Sequence, residues 1–284
     1  MENLLEHPLV LQLIDIAFQE DIGSGDHTSL STIPHAHQGK SVIVAKETGI
    51  FAGAKLAEFI FKKVDSELQV ELLAADGDNV FAGDQVMKIT GSSISMLTAE
   101  RTVLNFIQRL SGIASLTKQY TKVLDGLHTK IIDTRKTTPG MRLLEKWAVT
   151  VGGGGNHRIG LYDMILIKDN HVDFAGGIAQ AILSAKAYQE VNNLALPVEI
   201  ETRTLEEVQQ ALDTGNIQRI MLDNFSVDQL RKAVELINNR YETEASGGIT
   251  LTTLRQYAET GVDFISSGAL THSVKSLDFS MRAL

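Results

Sequence analysis

Apolar and polar positions recur with two different periods along the chain. From Pro8 to Glu20 the apolar residues Leu9, Leu11, Leu13, Ile14, Ala17 and Phe18 predict a helix with a proline near its start. Short strand-like runs follow at Ser41–Ala45, Gly49–Gly53, Leu68–Leu73 and Val86–Ile89, several parted by glycine-rich turns. A helical stretch, Ala54–Lys62, lies between the second and third runs. The first hundred residues therefore read as a small α+β unit. A long helical pattern then extends from about Met96 to Leu124, with an interruption or bend expected near Ser111-Gly112.

Beyond that helix the texture changes to alternating strands and helices. Strands are predicted at Lys130–Thr134, Asp163–Lys168, Pro197–Thr202, Arg219–Asp223, Tyr241–Ser246 and Val262–Ser266, with helical patterns such as Leu205–Asp213, Val227–Asn238 and Leu251–Glu259 in the gaps. Repeated βα units imply parallel strands with helices outside. Six clear strands are too few for a full eight-stranded barrel, so the expected fold is an irregular, incomplete parallel α/β barrel preceded by the α+β unit.

Each predicted strand runs apolar and then ends in polar groups: Thr134-Arg135-Lys136, Lys168-Asp169-Asn170, Glu201-Thr202, Asp223-Asn224, Ser246-Gly247-Gly248 and Ser267-Gly268-Ala269. In parallel α/β folds the C-terminal strand ends share one rim, where active sites sit. The last two loops bring glycines, which let a backbone approach a phosphate closely, and the first of them is expected to open a helix whose free N–H groups would face that phosphate.

Charge sharpens this picture. The chain of 284 residues has a formal net charge of −9, yet the stretch from Arg135 to Lys168 carries +4, which leaves −13 elsewhere. A local cationic focus on an acidic body suits a small anionic ligand and argues against nucleic-acid or acidic-membrane binding. There are no cysteines, which excludes disulfides, thiolate catalysis and cysteine metal sites and points to a reducing cytoplasm. The first residues lack the pattern of a signal peptide, and no stretch is long and apolar enough to span a bilayer.

Arg135-Lys136 and His157-Arg158 read as an anion clamp, since guanidinium grips carboxylates with paired hydrogen bonds and lysine meets phosphate as a point charge. Lys168 closes the apolar run Met164–Ile167 and is expected at the barrel mouth beside an anion. The run Gly152–Gly155 is either a flexible loop or a close-packed backbone that turns His157-Arg158 inward. Glu201 and Asp223 could hold Mg²⁺ beside a diphosphate, bind sugar hydroxyls, stabilise a developing cation, or pair with Lys136 or Lys168. No motif of a metalloprotease, serine hydrolase, P-loop or dinucleotide-binding fold is present. Two features are set aside. Gly77–Gly83 is read only as a β turn, although it resembles that of biotinyl and lipoyl carriers, and His27 reads as a loop or cap residue.

Taken together the strand-end motifs resemble the quinolinate phosphoribosyltransferases. The resemblance spans nearly the whole chain, in Glu20–Asp26, Glu100-Arg101-Thr102, Asp133–Gly140, Gly154–Arg158, Ile167–His171, Glu199–Glu201, Leu222–Phe225, Ser246–Gly248 and Ser267–Ser273. It implies an N-terminal α/β sandwich, residues 1–112 joined by the tail 275–284, and a barrel over 113–274. It implies transfer of phosphoribosyl from phosphoribosyl pyrophosphate to quinolinate with Mg²⁺, giving nicotinate mononucleotide, pyrophosphate and CO₂ in de novo NAD biosynthesis. It further implies a homodimer or higher homo-oligomer with shared sites. Arg135, His157, Arg158 and a partner's Arg101 would bind the quinolinate carboxylates, with Thr134 beside them. Lys136 and Lys168 would lie between quinolinate and pyrophosphate. Glu201 and Asp223 would meet the ribose hydroxyls and the metal, directly or through water or pyrophosphate. Catalysis would rest on Lys136, Lys168, Glu201 and Asp223. Ser246, Gly247, Gly248, Ser267, Gly268, Ala269 and His272 would hold the 5′-phosphate. The rival readings are a nicotinate phosphoribosyltransferase and a non-catalytic phosphosugar-binding paralogue.

Overall fold

The structure, a computed structural model, describes residues 1–284 apart from the side chains of Glu2 and Asn3. The strands are β1 (Gln38–Ala45), β2 (Gly49–Ile50), β3 (Gln69–Leu72), β4 (Asn79–Val80), β5 (Gln85–Ser92), β6 (Lys130–Ile132), β7 (Ile165–Ile167), β8 (Val198–Thr202), β9 (Arg219–Asp223), β10 (Glu242–Ser246), β11 (Phe264–Ser266) and β12 (Phe279–Ala283). Contacts divide the chain into two compact units, one of residues 1–118, 137–153 and 269–284, the other of residues 119–136 and 154–268.

The first unit is built on a four-stranded antiparallel sheet of order β12-β1-β5-β3, with a two-stranded β2-β4 ladder. Its core gathers Ile43, Phe51, Phe61, Met87 and Ile107, all fully buried. The helix Ser93–Val123 runs without interruption for 31 residues, so the break expected at Ser111-Gly112 does not occur. Both residues serve packing instead. Ser111 Oγ accepts the backbone N–H of Ala52 at 2.9 Å. A Cβ at Gly112 would stand 2.4 Å from the Lys275 carbonyl oxygen, so the chain's tail can lie against the helix only where no side chain intervenes.

The helix Arg142–Val151, placed by the sequence reading within the barrel stretch, groups with this first unit. The reason is a buried ion pair. Glu145 is fully buried, and its Oε1 accepts Arg109 Nη2 at 2.8 Å and Nε at 3.1 Å while Oε2 accepts the Thr138 backbone N–H. Arg109 also donates to the Thr271 carbonyl, tying the C-terminal segment to the same helix.

The second unit carries a six-stranded sheet of order β6-β11-β10-β9-β8-β7, and every pairing in it is parallel. β6 and β7 are its two edges, so the barrel is incomplete as expected. A single parallel bridge, Ile132 to Gly155, extends the β6 edge, with hydrogen bonds from Gly155 N to Ile131 O and from Asp133 N to Gly155 O. The glycine run is thus ordered backbone at its end rather than a loose loop. One face of the sheet is apolar, with Val198, Ile200, Ile220, Leu222, Ala245 and Ile265 buried. The alternate residues of the same strands, among them Glu199, Arg219, Met221, Glu244 and Ser266, point the other way, as the two-residue period of a strand requires.

Replacing Arg109 with leucine is expected to lower the free energy of unfolding by about 3 kcal/mol, because it strands a buried carboxylate. Urea denaturation measures this, and a loss below about 1 kcal/mol would show that Glu145 is satisfied without Arg109.

Candidate active site

The parallel register brings the C-terminal strand ends level: Asp223 pairs with Ser246, Met221 with Glu201, and Ile132 with Ser266. At this rim Thr134, Arg135, Lys136, His157, Arg158, Lys168 and Ser246 line one cavity of about 280 Å³. Seven predicted site residues therefore meet. The same cavity is bounded below by Leu166, Met221, Glu244 and Ser266, which occupy the alternate positions of β7, β9, β10 and β11.

Arg135 and Arg158 are both partly buried here. Desolvation holds the Arg158 guanidinium below its ordinary pKa, and the positive charge of Arg135 pushes in the same direction. Two like charges drawn out of water make a strong site for an anion that would relieve both penalties. Arg158 Nη1 donates to the Met164 carbonyl at 3.2 Å, while Asp163 accepts the backbone N–H groups of Ile159 and Gly160 and fixes the turn beyond it.

Lys168 Nζ donates to Glu201 Oε2 at 2.9 Å, and Glu201 Oε1 accepts the Asp169 backbone N–H at 3.3 Å. The paired state considered for Glu201 is thus the one present. Burial raises the Asp223 pKa, and the nearby negative charge of Glu201 raises it further. Asn224 Nδ2 donates to Asp223 Oδ2 at 2.6 Å. Carboxylates at neighbouring strand ends are oxygen donors suited to a hard divalent cation.

Two loops follow the last strands. Gly247 and Gly248 both take left-handed φ, +97° and +61°. A Cβ at Gly247 would fall 2.9 Å from the Asn224 backbone nitrogen, so glycine is what lets the β10 loop close on the β9 loop. The helix expected directly after this pair begins later, at Leu254, because Ile249 to Thr253 form turns held by Thr250 and Thr253. Ser267 is buried and its backbone N–H donates to the Ile132 carbonyl at 3.0 Å; Gly268 follows it. Three predicted residues lie in the first unit. Arg101 is exposed on the helix Ser93–Val123, and Ala269 and His272 form part of a short helix, with His272 exposed.

Sequence reasoning missed the groups beneath the cavity. Glu199 and Glu244 are fully buried on β8 and β10. Arg219 Nη1 lies 3.1 Å from Glu244 and 3.9 Å from Glu199, its Nη2 is 2.9 Å from Glu242, and its guanidinium stacks 4.1 Å from the centre of the Phe264 ring. Burial pushes the Glu199 carboxyl up to about 7 against the pull of Arg219. Glu244 is likewise pushed up to about 7, by burial and then by the charge of Glu199. The signal was available: Val198-Glu199-Ile200-Glu201 and Glu242-Thr243-Glu244-Ala245-Ser246 alternate strictly, which places acids on the inner face of strands that should be apolar on both sides. Glu199, Glu244 and His157 have ligand atoms within 4.8 Å of one another, and Arg219 lies beside both carboxylates.

A parallel sheet whose strand ends gather cations around a small cavity, with glycine-bearing loops after its last strands, defines an α/β-barrel protein built to hold a compact polyanion. Comparison with known proteins makes this specific. Family models described as quinolinate phosphoribosyl transferase, N-terminal domain and C-terminal domain, match residues 26–111 and 113–282. A relative from Nicotiana tabacum, quinolinate phosphoribosyltransferase [decarboxylating] 2b, mitochondrial, is 49% identical over 95% of this chain and 81% of its own. A probable nicotinate-nucleotide pyrophosphorylase [carboxylating] from Bacillus subtilis is 46% identical over 98% of this chain and 94% of its own. The solved structure of NadC from Streptococcus pyogenes superposes with a TM-score of 0.92 at 42% identity, covering 97% of each chain. The chain belongs to the quinolinate phosphoribosyltransferase family.

The raised pKa of Glu244 has a defined consequence for stability. The folded protein keeps this proton up to about pH 7 whereas an ordinary glutamate loses it near 4.5, so unfolding free energy falls as pH rises between those values. Glu244→Gln is expected to make that fall shallower, as read by urea unfolding at about pH 5 and about pH 8. An unchanged pH slope would place the proton elsewhere.

Proposed function

We propose that this protein is a decarboxylating quinolinate phosphoribosyltransferase of de novo NAD biosynthesis. It joins quinolinate to phosphoribosyl pyrophosphate, releasing pyrophosphate and CO₂ and leaving nicotinate mononucleotide. The observation that carries the reading is the cationic cavity at the strand ends, where Arg135, Lys136, Arg158 and Lys168 converge, in a chain of this family.

Arg135 and Arg158 take the two ring carboxylates, a task that suits paired guanidinium donors and is excessive for a substrate with one carboxylate. Lys136 and Lys168 lie on the pyrophosphate side and stabilise the departing negative charge. Glu201 and Asp223 meet the ribose hydroxyls and favour the cationic character that develops at the sugar as pyrophosphate leaves. The ring nitrogen then attacks and becomes positive, which stabilises the electron pair left on the adjacent ring carbon when its carboxylate departs as CO₂, and that carbon takes up a proton from solvent. No protein nucleophile is required, and positioning supplies most of the catalysis. The loops Ser246–Gly248 and Ser267-Gly268, with Ala269 and His272, are assigned to the 5′-phosphate.

Mg²⁺ would be held with phosphoribosyl pyrophosphate by Glu201 and Asp223, whose oxygens suit a hard divalent cation and of which Glu201 raises the Asp223 pKa. It supplies charge neutralisation for the leaving group. Arg101, exposed on its own subunit, is assigned to the site of a partner in a homodimer or larger homo-oligomer. A cytoplasmic location accords with a chain free of cysteine, and no helix among the described residues is long and apolar enough to cross a membrane.

Assays with phosphoribosyl pyrophosphate and Mg²⁺ should give nicotinate mononucleotide and CO₂ from quinolinate and no mononucleotide from nicotinate; no product from quinolinate overturns the reading. Arg135→Ala and Arg158→Ala are each expected to raise the quinolinate KM about 10- to 100-fold, the worth of a charged hydrogen bond. Subunits carrying Arg101→Ala, mixed with subunits carrying Lys168→Ala, should regain activity, since each mixed dimer then holds one intact site. Failure of that rescue despite demonstrated subunit exchange would remove Arg101 from the partner's site.

A further inference from the structure

The family resemblance implies that His157 is a cationic ligand of the substrate carboxylates. Its surroundings point elsewhere. The backbone N–H of His157 donates to Asp133 Oδ1 at 2.9 Å, which anchors the residue to a fully buried carboxylate after β6. Its Nδ1 accepts the backbone N–H of Arg158 at 2.7 Å. A backbone amide can only donate, so Nδ1 carries no proton and the ring proton sits on Nε2. Nε2 lies 3.0 Å from Glu199 Oε2 and 3.5 Å from Glu244 Oε2. Nδ1 is therefore engaged with the backbone, Nε2 sits at ion-pair distance from the two carboxylates without hydrogen-bond alignment to them, and the side chain is more than nine-tenths buried.

We infer that His157 serves the proposed reaction as a neutral positioning residue, held between the Arg158 backbone and the Glu199–Glu244 carboxylates, and that it aims the Arg158 guanidinium at the substrate. The inference rests on the reading of this cavity as the quinolinate site. Protonating Nδ1 would set N–H against N–H at 2.7 Å and release the Arg158 backbone, so the ring cannot become a cation without disturbing the residue that grips the substrate. The charged groups facing the ring are Glu199 from β8, Glu244 from β10 and the adjoining Arg158, with Asp133 at its backbone and Arg219 behind the two carboxylates. Glu244 is on this reading a second positioning residue, acting through His157. The clamp's positive charge then comes from guanidinium and ammonium groups, and quinolinate affinity does not follow the titration of an imidazole.

The test uses the intact enzyme labelled with ¹⁵N-histidine. The His157 resonances, assigned by their loss in His157→Gln, should keep the neutral Nε2–H pattern from about pH 5.5 to about pH 8.5, with and without quinolinate. An imidazolium signal in the quinolinate complex overturns the inference. In kinetics, His157→Gln retains one acceptor and one donor and should leave the quinolinate KM within about threefold of wild type, whereas His157→Ala should raise it about tenfold or more. Equal losses in Gln and Ala, with both variants folded by circular dichroism, would also overturn it. Because the resonances of the free enzyme are read without turnover, a failed quinolinate assay would sink the proposed function separately from the tautomer.

Discussion

Like charges crowded together in a partly dry cavity repel one another, and every other feature of the rim answers to that repulsion. Arg135 and Arg158 are close enough for one to depress the other's basicity, and Lys136 and Lys168 line the same cavity. Such a cluster is tolerable in a folded protein only with counter-charge nearby. Glu201 provides it for Lys168 at the rim. In a lower tier Glu199 and Glu244, held toward the protonated form by burial, lie with Arg219. The lower tier occupies space that an ordinary barrel would fill with branched apolar side chains. Polar interior of this kind is costly.

The parallel strands make this tiering possible. Side chains two residues apart on a strand point the same way, so Glu199 and Glu201 stand one above the other on β8, as do Met221 and Asp223 on β9 and Glu244 and Ser246 on β10. The upper member of each pair reaches the rim and the lower member lies one layer beneath it. The opposite face of the same strands is mostly apolar, with Thr202 and Thr243 its polar members, which fixes register, since a slip by one residue would turn the acids into the hydrophobic layer.

Much of this was legible in the sequence, for identifiable reasons. The six parallel strands announce themselves as short apolar runs ending in polar residues, and the rim residues Arg135, Arg158 and Lys168 fall at those ends. What escaped was of two kinds. Contacts between distant segments, such as Arg109 with Glu145 or Gly112 with the Lys275 carbonyl, leave no periodic trace, so the contacts of the helix Arg142–Val151 with the first unit were not legible and Gly112 looked like a helix breaker. The roles of Glu199, Glu244 and Arg219 depend on three strands meeting in register, although the alternation of acids along β8 and β10 was a readable hint. His157 could be placed at the cavity from its neighbours in sequence, but the direction of its two nitrogens is a property of the folded chain alone.

β12 lies beside β1 in the first sheet, although some 230 residues separate them, and β1 is flanked by β12 on one side and β5 on the other. Val42, Ile43 and Val44 are buried in the finished sheet. While the chain is being made on the ribosome, these residues are synthesised long before Phe279–Ala283, and until β12 emerges one edge of β1 lacks the partner it has in the finished sheet. An exposed apolar strand edge is a template for mispairing with other chains. The emergence of β12 is therefore the event that seals the first sheet, and changes made in β12 act on a strand far from it in sequence.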